Sequence, residues 1–256
     1  MKILRVGALC VAVLLTASAC GGGDDGDDAA APTAAAEETH PESHEEFCDA
    51  VIDAETQVLA ASSGGDPSGI EDLLVTVEET TPPELEEQVG VVAATVREAL
   101  EKRDERAFES EEFSKSEEEV DVWVADNCGY ERVDVRAVDY AFEGVPDTLA
   151  PGTVTLGFSN AGTEMHEMLM VRYKDPSTTI DDLMKLSDKE AQKAIDFLGA
   201  SFGPPGATDT ENKELTPGKY ALLCFVPVGS TSEKAARKAD GPPHVAKGMS
   251  AEFTVE

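Results

Sequence analysis

Residues 135–173 read VRAVDYAFEGVPDTLAPGTVTLGFSNAGTEMHEMLMVRY, and their rhythm decides the fold. Apolar and polar side chains alternate along most of the stretch, the period of a strand with one face buried. The runs are punctuated by APG (150–152) and NAG (160–162), which favour turns. Successive antiparallel strands are expected. The alternation stops at TTIDDLMKLSDKEAQKAIDFLGASFG (178–203), which reads as a helical insert. It resumes in LTPGKYALLCFVPV (215–228) and closes in GMSAEFTVE (248–256). Several strands with a mid-chain excursion predict a β-sandwich with Greek-key connections. Strand parity puts Tyr220, Leu222, Cys224 and Val226 on one face, so the cysteine points where the core points. It also aligns His166 with Met168 and Met170, methionines that read as core filler rather than as a metal-handling surface.

Upstream the period changes from two to between three and four. In EEFCDAVIDAETQVLAA (45–61), Phe47, Val51, Ala54 and Val58 form one apolar helix face. After SSGGDPSG come IEDLLVTVEET (70–80), then a proline-led helix in TPPELEEQVGVVAATVREALEKRD (81–104), then SEEEVDVWVADNCGY (116–130) with glycine just past its end. Four helices with short joins predict an up-and-down bundle. There the start of the first helix and the end of the fourth share one end, so Cys48 and Cys128 can meet in a disulfide. Trp123 reads as a core anchor, and the bundle shows no catalytic grouping.

The chain opens MKILRVGALCVAVLLTASAC (1–20), a basic start, a short apolar run and small residues, the pattern of a secretory signal. LTASAC resembles a bacterial lipobox, which implies cleavage before Cys20, lipidation (palmitate included) of that cysteine, and an extracytoplasmic protein anchored to the cell membrane. The stretch that follows is acidic and almost free of large apolar residues, so it reads as a disordered tether spanning about 28 Å. His40 and His44 fall in this polar region and read as solvated filler. The organisation is therefore signal peptide 1–19, tether 20–45, helical bundle 46–130 and β-sandwich 131–256. With 52 acidic against 20 basic residues and a net charge of -32, the chain repels phosphate backbones, which argues against a nucleic-acid partner. Cys10 leaves with the signal, Cys20 takes the lipid and Cys48 pairs with Cys128. Cys224 is then the odd thiol in an oxidising compartment.

Residues 142–168, FEGVPDTLAPGTVTLGFSNAGTEMHEM, resemble the first half of a cupredoxin, the small blue-copper family that includes plastocyanin. LTPGKYALLC (215–224) and PHVAKGM (243–249) are similar to its second half. The resemblance covers roughly residues 136–256 and implies a cupredoxin-like sandwich there; with the disulfide-linked helical bundle, which lies outside it, the expected chain is a two-domain α+β protein. It also implies one copper ion held by His166, Cys224, His244 and Met249. A thiolate and two imidazoles suit both copper oxidation states, and a distant thioether tunes the potential. The implied activity is electron transfer or copper handling with a redox partner protein, His244 serving as the exposed port for the electron; no enzyme is implied. One departure stands out. Nineteen residues, FVPVGSTSEKAARKADGPP (225–243), separate the cysteine from the second histidine, where the family has a few. Closing that longer loop costs only roughly 1.5 kcal/mol, and Pro242 and Pro243 stiffen its end. The alternative reading is a metal-free cupredoxin-fold lipoprotein acting as a protein-binding scaffold, the contact made by the bundle or by the long loop with its Lys234, Arg237 and Lys238.

Overall fold

The structure, a computed structural model, describes residues 42–256. The signal peptide, the lipidation site Cys20, most of the expected tether and His40 lie outside the described residues. The helical half comprises α1 (Glu42–Ser62), α2 (Ile70–Thr80), α3 (Glu86–Lys102) and α4 (Glu111–Asn127). Phe47, Ala50, Val51 and Ala54 of α1 bury against Val77 of α2, Val89 of α3 and Val120 and Val124 of α4, the apolar face expected from the helical period. Cys48 and Cys128 form the expected disulfide at a sequence separation of 80. Cross-linking a loop of that length stabilises by about 2–4 kcal/mol.

Helix α1 opens at Glu42, so His44 is helical rather than part of an unfolded stretch, and the helical half does contain a histidine. The reason is packing. The imidazole of His44 meets the Trp123 ring edge-on at 5.1 Å, Phe47 meets the same ring at 5.4 Å, and Trp123 Nε1 donates to Glu84. The indole thus gives the first turn of α1 an apolar surface to lie on.

The second half is a sandwich of two mixed sheets. One has the order β2 (Ala141–Glu143), β1 (Glu131–Val138), β4 (Gly152–Asn160) and β7 (Thr208–Leu215). The other runs β3 (Thr148–Leu149), β9 (Ser250–Val255), β8 (Gly218–Leu223), β5 (His166–Tyr173) and β6 (Ile195–Gly203). β1 pairs parallel with β4 and β3 parallel with β9; the other pairs are antiparallel. The chain changes sheet between β2 and β3, β3 and β4, β4 and β5, β6 and β7, and β7 and β8, as Greek-key connections require. Val135, Leu156, Phe158, Met168, Met170, Tyr220, Leu222 and Phe253 fill the space between the sheets. Met168 and Met170 are thereby core filler.

The helical insert is shorter than its sequence pattern suggests. Only α5 (Ile180–Leu183) and α6 (Asp188–Ala194) are helical, while 195–203 forms β6. Gly199 adopts a φ of 142°, which does not continue a right-handed helix, and the backbone groups of β6 complete the free edge of β5. The short helices cover the outer face of the second sheet. Leu183 packs there with Val171, Tyr173, Ala221 and Leu223, so β8 is buried on both sides. β7 was not legible as a strand because its sequence, TDTENKEL, is polar.

The helical half covers that polar edge strand. Asn212 of β7, only 1 % exposed, has its Oδ1 2.7 Å from Thr155 Oγ1 of β4. Its Nδ2 donates to the carbonyl oxygen and Oδ1 of Asp121 in α4 at 3.0 and 3.1 Å. Lys213 Nζ sits between Glu55 of α1 and Glu211 of β7 at 3.3 and 3.2 Å. Replacing Asn212 by alanine leaves both partners short of a bond inside the interface. The Asn212→Ala protein is expected to lose about 1–3 kcal/mol, read as a lowered urea midpoint.

Candidate metal centre

A tight turn delivers the first histidine. Asn160, 3 % exposed, ends β4 and donates from Nδ2 to the carbonyls of Glu164 and Gly203, both at 2.9 Å, while its Oδ1 accepts Gly162 N–H at 2.9 Å. This Asx-type turn folds residues 160–165 back so that β5 begins at His166. Glycine at 162 is required by space. A Cβ there would collide with His166 Nε2 and sit 2.5 Å from Asp139 Oδ1.

The nineteen-residue excursion closes at its root. Pro227 and Pro243 form a β-bridge, Val228 N–H donates to Pro242 O at 3.0 Å and His244 N–H to Val226 O at 2.9 Å. Val245 N–H donates to Cys224 O at 2.7 Å. The residues between include α7 (Glu233–Ala236), whose Ala236 packs against the main core. His244 opens a single 3₁₀ turn ending at Gly248, with a φ of 101°. Met249 follows, its N–H bonded to His244 O at 3.1 Å and its carbonyl accepting Cys224 N–H at 3.3 Å.

The result is a closed donor set. His166, Cys224 and His244 are each 0 % exposed, and one donor atom from each lies within 4.8 Å of the other two. His166 Nδ1 and His244 Nδ1 are 3.1 Å apart, and Cys224 Sγ is 3.4 Å from His244 Nδ1. Met249 is also fully buried and is joined through its backbone to both Cys224 and His244. Three expected ligands are thus brought together, with the fourth on the adjoining turn.

The far side of each imidazole is occupied. His166 Nε2 lies 3.1 Å from Asp139 Oδ1, and His244 Nε2 lies 3.1 Å from Glu164 Oε2. Burial pushes both carboxyls up, but hydrogen bonds outweigh it. Thr163, the Glu164 N–H and His166 hold Asp139 below the usual carboxylate range. Gly229 N–H, His244, Tyr140 and Ser230 N–H do the same for Glu164. Burial lowers the pKa of His166, so its ring is neutral near pH 7, and burial pushes the Cys224 thiol up to about 12. An ionised carboxylate only accepts, so each Nε2 carries a proton and each Nδ1 is the ring nitrogen turned toward the other histidine. One thiol proton serves at most one of them. The arrangement fits a cation that accepts both lone pairs and displaces that proton.

His244 is not an exposed port. It is sealed by Glu164 and by the Tyr140 ring, whose centroid is 5.0 Å from that of the imidazole. Tyr140 sits in the two-residue turn between β1 and β2 at a φ of 69°. That left-handed conformation costs a non-glycine residue roughly 1–2 kcal/mol. Asp139, Tyr140 and Glu164 were missed in the sequence. The usable signals were Glu164 two positions before a buried histidine and a polar pair at a hairpin turn.

No protein-family model matches the chain, and no curated protein matches it in sequence. Solved structures are similar over about half of it. A dithionite-reduced auracyanin from the photosynthetic bacterium Roseiflexus castenholzii is 21% identical over 50% of this chain and 99% of its own, with a TM-score of 0.34. Auracyanin A, described as a "blue" copper protein of Chloroflexus aurantiacus, is 17% identical over 50% of this chain and 100% of its own, at a TM-score of 0.32. Rusticyanin from Thiobacillus ferrooxidans is 20% identical over 50% and 79%, at 0.30.

Two outcomes are expected of the metal-free protein. Cys224 stays unreactive toward a disulfide reagent at pH 8 and reacts at once in denaturant, because the thiol is both buried and protonated. The Gly162→Ala protein displaces His166 from Asp139, visible as a shifted imidazole resonance, and loses about 10- to 100-fold in metal affinity.

Proposed function

We propose that this cupredoxin-like chain binds one copper ion through His166 Nδ1, Cys224 Sγ and His244 Nδ1, with Met249 as a weak fourth ligand, and carries single electrons. The carrying observation is the pair of buried imidazole lone pairs facing each other beside a thiol, each ring fixed by a carboxylate on its other nitrogen. Nitrogen and soft sulfur donors in a trigonal set favour copper among the divalent metals and suit its monovalent state as well. When bound, copper would supply a one-electron couple. The protein's own part is to hold the donors and exclude water.

Complete burial of the donor set favours a carrier over a catalyst, since no substrate reaches the metal without displacing a side chain. The electron then passes through the groups that cover His244, so a redox partner docks over Tyr140 and the turn that bears Glu164. A lipid anchor at Cys20 would keep the domain beside membrane-bound partners, and the acidic segment after it would give reach. The disulfide between Cys48 and Cys128 agrees with an extracytoplasmic site. Among the described residues no helix is long and apolar enough to cross a membrane.

Titration with Cu(II) of the protein lacking only residues 1–20 is expected to produce an intense visible thiolate-to-copper band and the matching EPR spectrum. Both should be absent from the Cys224→Ser protein. Weak copper binding indifferent to that substitution would instead support the metal-free scaffold reading.

A further inference from the structure

Three separate segments converge on one carboxylate. Glu164 Oε1 accepts the Tyr140 hydroxyl from the β1–β2 turn at 3.0 Å. Its Oε2 accepts Gly229 N–H at 2.5 Å and Ser230 N–H at 3.1 Å, from the start of the long excursion, as well as His244 Nε2 at 3.1 Å. The adjoining backbone adds a further tie, Met165 N–H donating to Ser230 O at 2.7 Å. The Glu164 side chain is 13% exposed, against 33% for Asp139 beside the other histidine.

We infer that Glu164 is the positioning residue of the centre: it ties down the long Cys224–His244 excursion, fixes the His244 tautomer, and biases the bound metal toward its more highly charged oxidation state. This rests on the copper reading above. A short loop would hold the second histidine by geometry alone, whereas here the excursion is long. Gly229 and Ser230, near its start, and the histidine at its end are fastened to the same carboxylate oxygen, Oε2. The carboxylate leaves Nδ1 as the only nitrogen of His244 with a free lone pair. It also places a full negative charge one hydrogen bond from a ligand ring, in a shielded position where the interaction is weakly screened. Negative charge there stabilises Cu(II) more than Cu(I), so the tuning acts on the difference between the two affinities. Glutamine at 164 keeps the shape and an accepting oxygen but removes the charge.

The test measures Cu(II) and Cu(I) affinities and the reduction potential of wild-type and Glu164→Gln protein. The expected result is a Cu(II) affinity lowered about 10-fold with Cu(I) affinity little changed, which raises the potential by about 59 mV for a one-electron couple. An unchanged potential, or an equal loss of both affinities, overturns the tuning role. The positioning role is read without metal. In the wild-type metal-free protein, long-range ¹⁵N–¹H correlation is expected to place the His244 proton on Nε2, and amide exchange at Gly229 and Ser230 is expected to be slow. A proton on Nδ1, or fast exchange at both amides, overturns that role even if the variant fails to fold. A wild-type protein that forms no thiolate–copper band while passing the metal-free tests would overturn the copper reading and the tuning with it, leaving the positioning role in place.

Discussion

Two imidazole nitrogens that both present lone pairs, held 3.1 Å apart inside a protein, are an unfavourable pair unless a proton or a cation lies between or beside them. The rest of the sandwich end is arranged so that this juxtaposition persists. The Asx turn at Asn160 sets the position of His166, and the paired root of the excursion sets that of His244. Asp139 and Glu164 prevent either ring from flipping to offer a proton inward. Cys224 arrives from β8 on the face that parity assigns to it, between sheets whose packing leaves the thiol no route to solvent. The contact is local, and the hydrogen bonds and core contacts that hold it are spread over several strands.

What the sequence disclosed follows from how local its signals are. Alternation over 135–173 and 215–228 is a property of neighbouring residues, so the central strands and the inward faces of Cys224 and His166 were legible. So was the pairing of Cys48 with Cys128, because helix count and compartment constrain it. β6 and β7 were not legible. β6 is half-buried at a sheet edge and follows directly on α6, so its apolar spacing merged with that of a helix. β7 is a strand made of polar residues because helices, rather than a second sheet, cover it. The partners of the ligand histidines were hidden for another reason. Asp139 is 27 positions from His166 and Glu164 is 80 from His244, and no periodicity links residues that only topology brings together.

The helical half has a structural role apart from the centre. An exposed edge strand with the composition of β7 would present unpaired backbone groups to any passing chain. α1 and α4 lie against it, and the covering is polar: Asn212 bridges Thr155 and Asp121, and Lys213 answers Glu55 and Glu211. In a chain of net charge -32, one cation set among several acids does more than a single surface ion pair would. Burial raises the pKa of Asp121, so its charged form is disfavoured in the fold, and the charge of nearby Lys213 works against that shift. The bundle is thereby attached by hydrogen bonds and charge rather than by a continuous apolar surface.

The donor set is held together by main chain as well as by side chains. The backbone around it forms a closed circuit: Cys224 N–H donates to Met249 O, Met249 N–H to His244 O, and Val245 N–H to Cys224 O. These bonds fix the relative positions of the cysteine, the second histidine and the methionine through main chain, independent of any ion. The fold would offer a bound metal the same donor positions in either oxidation state. Little rearrangement would then accompany a change of oxidation state, which is what the proposed one-electron exchange requires. The long excursion does not weaken this argument, because its 227–228 and 242–243 ends are paired to each other and the extra length is spent outside the circuit. The nineteen residues therefore leave the three donor atoms where the strands and the turns hold them.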